Sequence, residues 1–137
     1  MSDPRVIVLT GGTGGLGTAV VKRLADQNYR FAVTYLVPEE ARTFEKEVGL
    51  TEDRLMLSRV DATNTDEVGT FFEQVVERFG AVHIVCSLVG GWAGGRDVEE
   101  TSDVRFDRMI DVNLRSAFTT VRAAVPHLKK AGWGRIL

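Results

Sequence analysis

Thr10-Gly11-Gly12-Thr13-Gly14-Gly15-Leu16-Gly17 packs five glycines into eight residues. It follows an apolar run, Val6-Ile7-Val8-Leu9, and precedes apolar residues at helical spacing, Leu16, Val20, Val21 and Leu24. A glycine-rich turn from a strand into a helix lets backbone N–H groups meet a phosphate directly. The helix N-terminus adds partial positive charge, and a Cβ at such positions would hold the anion away. The chemistry on offer is therefore binding of a dinucleotide. The loop can be read in two registers. Gly12, Gly14 and Gly17 satisfy G-x-G-x-x-G, whereas Thr10, Gly11, Gly15 and Gly17 satisfy T-G-x-x-x-G-x-G.

Other reactive side chains are sparse. His83 and His127 are isolated, and no Cys/His cluster has metal-ligand spacing, so no metal is expected. Cys86 is the one cysteine and cannot form an intrachain disulfide, which suits a reducing, cytoplasmic setting. It reads as a small buried hydrophobe. Glu39-Glu40 and Glu99-Glu100 are adjacent pairs that cannot share a helical face, and read as solvated surface charge. A net charge of −2 with dispersed Lys and Arg speaks against a nucleic-acid partner. No apolar run approaches the roughly 20 residues that span a bilayer, so no membrane partner is expected. Met1-Ser2-Asp3-Pro4-Arg5 has no apolar stretch behind it of the kind a secretory leader carries.

The elements that must position the glycine loop alternate in type. Strands are predicted at Arg5 to Thr10, Phe31 to Leu36, Arg54 to Asp61 and Val82 to Val89. Helices are predicted from about Leu16 to Asn28, from Glu39 to Val48, from Asn64 or Thr65 to Phe79, and from Ser102 or Asp103 to Lys130, with a kink at Pro126. Such alternation calls for an α/β domain over 1–137 with a parallel sheet and helices on both faces. Gly134-Arg135-Ile136-Leu137 looks like the start of a fifth strand, so the chain reads as a truncated copy of a longer fold.

Three further segments accompany the second register. Val60-Asp61-Ala62-Thr63 follows strand three, Ser87-Leu88-Val89-Gly90 closes strand four, and the long helix holds Phe106-Asp107-Arg108-Met109-Ile110-Asp111-Val112-Asn113-Leu114. Together they resemble the N-terminal, cofactor-binding portion of the short-chain dehydrogenase/reductase family. Strand four departs from that family's usual Asn-Asn-Ala-Gly and keeps only Gly90.

The resemblance implies a Rossmann-type, doubly wound parallel sheet binding NAD or NADP for hydride transfer to or from a carbonyl or alcohol substrate. It implies that Gly11, Thr13, Gly14, Gly15, Leu16 and Gly17 surround the cofactor's phosphates. Asp61 would accept from the adenine amine and the Ala62 N–H would donate to the ring, with Val89, Gly90 and Val112 beside the ribose. Asn113 matches the active-site asparagine whose main-chain carbonyl holds a relay water, which requires a local distortion of the helix. Tyr35 and Leu36 stand where the choice between NAD and NADP is usually read, and are neither acid nor base. Arg42 could reach over from the next helix, so that choice stays open.

The family's serine and Tyr-x-x-x-Lys pair lie beyond strand five, and neither Tyr29 nor Tyr35 has a lysine four residues on. The chain is thus expected to be the cofactor-binding part of an oxidoreductase, inactive alone. The alternative is a non-catalytic nucleotide-binding or interaction module. An S-adenosylmethionine methyltransferase is disfavoured by the later motif matches. Phe106, Met109, Ile110, Leu114, Phe118, Val121 and Leu128 give the helix containing Asn113 more apolar surface than one sheet face needs, which predicts a homo-oligomer. Trp92, in the glycine-rich stretch Gly90–Gly95, reads equally as a pocket wall or a packed surface aromatic.

Overall fold

An unbroken apolar strand has no side to give to solvent, and β1 (Arg5–Thr10) accordingly runs through the middle of the sheet, buried from Val6 to Thr10. The computed structural model describes residues 3–137; Met1 and Ser2, the start of the segment read as lacking a leader, lie outside the described residues. β2 (Tyr29–Tyr35) and β4 (Ile84–Ser87) flank β1, with β3 (Leu55–Arg59) and β5 (Arg135–Ile136) outside them, in the order β3-β2-β1-β4-β5. All pairings are parallel, with Ile7 opposite both Phe31 and Ile84. The α/β parallel architecture is the one the alternation predicts. Among the described residues, no helix is long and apolar enough to cross a membrane, and no group of three His, Cys, Asp or Glu could hold a metal.

Side chains alternate across each strand, so the sheet builds two cores. On one face α1 (Gly15–Leu24) and α2 (Pro38–Val48) bring Val21, Phe44 and Val48 onto Ile7, Leu9, Phe31 and Val33. On the other, α3 (Thr65–Phe79) brings Val68, Phe71, Phe72 and Val75 onto Val6, Val8, Ala32 and Val85. Asn64 caps α3, its side chain accepting from the N–H groups of Asp66 and Glu67. Cys86 is buried as expected, and burial pushes its thiol pKa up. Several ends moved. α1 stops at Leu24 rather than near Asn28, and β4 spans four residues where eight were predicted; beyond it Leu88, whose N–H still donates to the Thr10 carbonyl at 3.0 Å, and Val89 line the cleft described below.

The single long helix predicted from residue 102 or 103 is interrupted. α4 (Asp103–Ile110) passes into a wider π turn, Asp111–Arg115, before α5 (Ser116–Ala131). α5 continues through Pro126 and seats Ala124 and Leu128 in the second core. Buried hydroxyls tie it to the sheet. Thr119 Oγ1 donates to the Ala62 carbonyl, and Thr120 Oγ1 lies 3.4 Å from Thr10 Oγ1.

His83 is an acceptor within the frame. The Val6 N–H donates to its Nδ1 at 3.0 Å, which requires the neutral ring. Burial, with a smaller push from Arg5, holds its pKa below 6.5. The unfolded chain therefore takes up this proton first, and stability must fall as pH drops below about 6.5, levelling once the folded ring is itself protonated. Urea midpoints between pH 5 and 8 are expected to show that slope and His83→Gln to flatten it. An unchanged slope in the variant would assign the acid sensitivity elsewhere.

Candidate functional site

The strand order reverses between β1 and β4, and at that point of an open parallel sheet the loops leaving the carboxyl ends diverge to leave a crevice. The glycine loop leaves β1 there. Gly11 has φ of 66°, and its N–H donates to Thr34 Oγ1 on β2 at 2.9 Å. A Cβ on Gly17 would fall 2.0 Å from the Gly12 carbonyl oxygen, so the start of α1 presses directly on the loop backbone. The two registers thus share one folded loop: Gly12, too, has no room, with Leu9 Cβ and Val33 Cγ1 each 2.7 Å from where its Cβ would lie.

Gly14 and Gly15 are different. A Cβ on Gly15 would meet nothing within 4 Å, and one on Gly14 only the Gly11 carbonyl at 4.0 Å. Packing does not demand glycine at either place. Gly14 is the N-cap of α1 and supplies no side-chain cap, and the first N–H groups of a helix have no intrahelical acceptor. The result is a bare, open helix N-terminus, which is the form an anion cradle takes.

One cleft of about 380 Å³ gathers most of the predicted residues: Gly11, Thr13, Gly14, Tyr35, Leu36, Asp61, Ala62, Val89, Gly90 and Val112 all line it. Gly15, Leu16 and Gly17 lie outside its lining; Gly15 borders the neighbouring hollow instead, and Leu16 is exposed. A larger hollow of about 580 Å³ between α1 and α2 shares Thr13, Gly14 and Glu40 with the cleft but touches neither Asp61 nor Gly90. The residues of the four strand ends meet in the smaller one.

Asp61 is held in a turn at the end of β3. Its Oδ1 accepts from the Thr63 N–H at 2.9 Å and the Thr63 hydroxyl at 2.7 Å, and its own N–H donates to Glu67 Oε2 at 2.8 Å. Asn113 sits in the π turn and clamps the loop after β4. Its Oδ1 accepts from the Gly91 N–H at 3.1 Å, while Nδ2 donates to the Gly91 carbonyl at 2.9 Å and the Met109 carbonyl at 3.0 Å. The helix distortion expected at this asparagine is present, braced by Ser116 Oγ donating to the Val112 carbonyl at 2.6 Å.

Thr34 and Val37 also line the cleft and were not singled out from the sequence; Val60, Thr63 and Leu88 line it too and were named only as parts of motifs, and Glu40 only as surface charge. Glu40 is exposed, as its reading as surface charge expects, but it also borders the cleft, where Thr13 Oγ1 donates to its Oε2 at 3.4 Å. The signal was Pro38, which starts α2 so soon after β2 that the helix's first turn overhangs the same sheet edge. Arg42 does not line the cleft and instead contacts Glu39 at 3.4 Å. Trp92 is neither pocket wall nor packed aromatic: it is 87% exposed, with its ring turned over Gly94.

The model of the short chain dehydrogenase family matches residues 5–137. The chain belongs to the short-chain dehydrogenase family. It is 36% identical over 138 residues to D-beta-hydroxybutyrate dehydrogenase of Rhizobium meliloti (strain 1021), covering 97% of this chain and 52% of that protein. It is 30% identical over 129 residues to L-fucose dehydrogenase of Mus musculus, covering 93% and 45%. A solved short-chain dehydrogenase/reductase from Serratia marcescens BCRC 10948 superposes with a TM-score of 0.84 at 29% identity, over 96% of this chain and 53% of that one. The chain spans about half the length of the curated relatives it matches. As a member of the short-chain dehydrogenase family it is unusual at Ser87-Leu88-Val89, where two asparagines and an alanine are common; the first of these, Ser87, has a buried hydroxyl with no hydrogen-bond partner among the described residues.

Proposed function

We propose that this chain forms the NAD(P)-binding part of an oxidoreductase that moves hydride between a nicotinamide cofactor and a small carbonyl or alcohol substrate. The observation that carries the reading is the open N-terminus of α1, where Gly14 and Gly15 have no packing neighbour that forbids a side chain, at the edge of a cleft lined by residues at the ends of β1 to β4. The residues present fit the cofactor. The loop's N–H groups would take the pyrophosphate, and Asp61 with the Ala62 N–H would take the adenine. Val89, Gly90 and Val112 would border the ribose. When bound, the cofactor supplies the hydride donor or acceptor. Asn113 acts here through the backbone: its amide fixes Gly91, and its place in a π turn swings main-chain carbonyls out of the regular helical ladder, available to order a water. Hydride exchange with a carbonyl also needs a proton donor, which the family places beyond strand five, so this chain by itself is proposed to bind without turning over.

Exposed Phe106, Leu114 and Phe118 on α4, the π turn and α5 support self-association through the helices around Asn113.

The test is a titration with NADH followed by amide chemical shifts. Saturable binding is expected at a dissociation constant of about 0.1–1 mM, since the nicotinamide would be only partly enclosed. The shifts should centre on Gly11 to Gly17, Asp61 and Gly90. Shifts confined to the hollow around Lys22 and Glu47, or none at millimolar NADH, would overturn the reading.

A further inference from the structure

We propose that Glu40 makes this cleft select a dinucleotide with an unphosphorylated adenosine ribose, NAD(H) over NADP(H); the inference rests on the cofactor reading above. The strand end where a discriminating acid or base usually sits carries Tyr35 and Leu36 instead, and neither decides. Glu40 supplies the charge from another element. Pro38 opens α2 just after β2, which places Glu40 in the helix's first turn, on the cleft wall beside Tyr35, Leu36 and Val37. The Thr13 hydroxyl donates to Glu40 Oε2 at 3.4 Å, so the carboxylate lies alongside the glycine loop.

The charge around it is one-sided. Glu40 and Asp61 are the charged residues lining the cleft, and both are acids. Nearby cations are engaged elsewhere or face other hollows. Arg42 contacts Glu39 at 3.4 Å, Lys22 lies 3.9 Å from Glu47 in the adjoining hollow that Glu40 also borders, and Arg59 lines a separate hollow with Asp66 and Glu67. A ribose 2′-hydroxyl can donate to a carboxylate. A 2′-phosphate brings further negative charge and acceptor oxygens to the same place, with no guanidinium or ammonium on the wall to receive them. Glu40 is exposed, so water screens the repulsion and the discrimination is moderate, about tenfold.

The test compares dissociation constants of NADH and NADPH, by amide shifts at low salt, for the 137-residue chain and two variants. NADH is expected to bind about tenfold more tightly than NADPH. In Glu40→Gln the ratio should shrink to about threefold or less. In Glu77→Gln, an acid on α3 that does not line the cleft, it should not change. Equal or tighter binding of NADPH, a preference that survives Glu40→Gln, or the same loss in Glu77→Gln would each overturn the role of Glu40 while leaving the cofactor site standing. Binding of neither nucleotide would overturn the site itself and the inference with it.

Discussion

Gly17→Ala is expected to destabilise the chain by about 3 kcal/mol or more, and Gly15→Ala, two residues away, to leave stability unchanged or raised by up to about 1 kcal/mol. The added methyl at Gly17 would lie 2.0 Å from the Gly12 carbonyl oxygen, 2.5 Å from its carbon and 2.6 Å from its Cα. These are backbone atoms, and Gly12 is itself wedged against Leu9 and Val33, so nothing can yield without lifting α1 from the sheet. At Gly15 the same methyl enters open space at the first position of a helix, where alanine is the better helix former. The nucleotide should report the opposite order of subtlety. Gly15→Ala crowds the N-terminus of α1 bordering the space proposed for the pyrophosphate and should weaken NADH binding at least about tenfold in a fully folded chain. Urea denaturation and NADH titration of the two variants read both effects. A stable Gly17→Ala chain, or undiminished binding in Gly15→Ala, would contradict the division between a packing glycine and a ligand glycine.

The second large effect lies in the core. Phe72→Ala is expected to cost about 3–5 kcal/mol, a large part of the roughly 5–15 kcal/mol that holds a domain of this size together. Phe72 is fully buried on α3, edge-on to Phe71 at 5.7 Å between ring centres, and stacked at 6.1 Å and 9° on His127 of α5. Removing the ring opens a cavity under two helices at once. The denaturation midpoint should fall steeply, and amide exchange in α5 should quicken along with that in α3. A loss below about 1 kcal/mol would mean that the helices close over the space, and that α5 is held by its hydroxyls to Thr10 and Ala62 more than by this face.

The alternation of strands and helices and the faces they bury were legible because they follow from periodicity; the order of the strands was not. Continuous apolar runs such as Val6–Leu9 and helical stripes such as Val68, Phe71, Phe72 and Val75 each leave one solution for burial. Much of the cleft lining was named through the family resemblance, and those residues do follow strand ends that share one edge of the parallel sheet. What escaped depended on geometry between elements. Glu40 looked like surface charge because its adjacency to Glu39 describes a helix and says nothing of which sheet edge the helix overhangs. The break at Asp111–Arg115 was anticipated only through Asn113; apolar spacing on either side is compatible with one straight helix, and a π turn shifts the register by a single residue. Trp92 was left open from the sequence because bulk alone does not say what a ring in a glycine-rich loop meets; here it is exposed, over Gly94.

The bond from the Gly11 N–H to Thr34 Oγ1 bears on the kinetics of this chain as well as its shape. Together with the close fit of Gly12 and Gly17, it sets the loop's conformation through buried neighbours before any nucleotide arrives. The ordering entropy of the loop is then already spent in folding, and a ligand finds a rigid receptor. Association should approach the rate of diffusive encounter, without a slow closing step, and dissociation should carry the differences in affinity among related nucleotides.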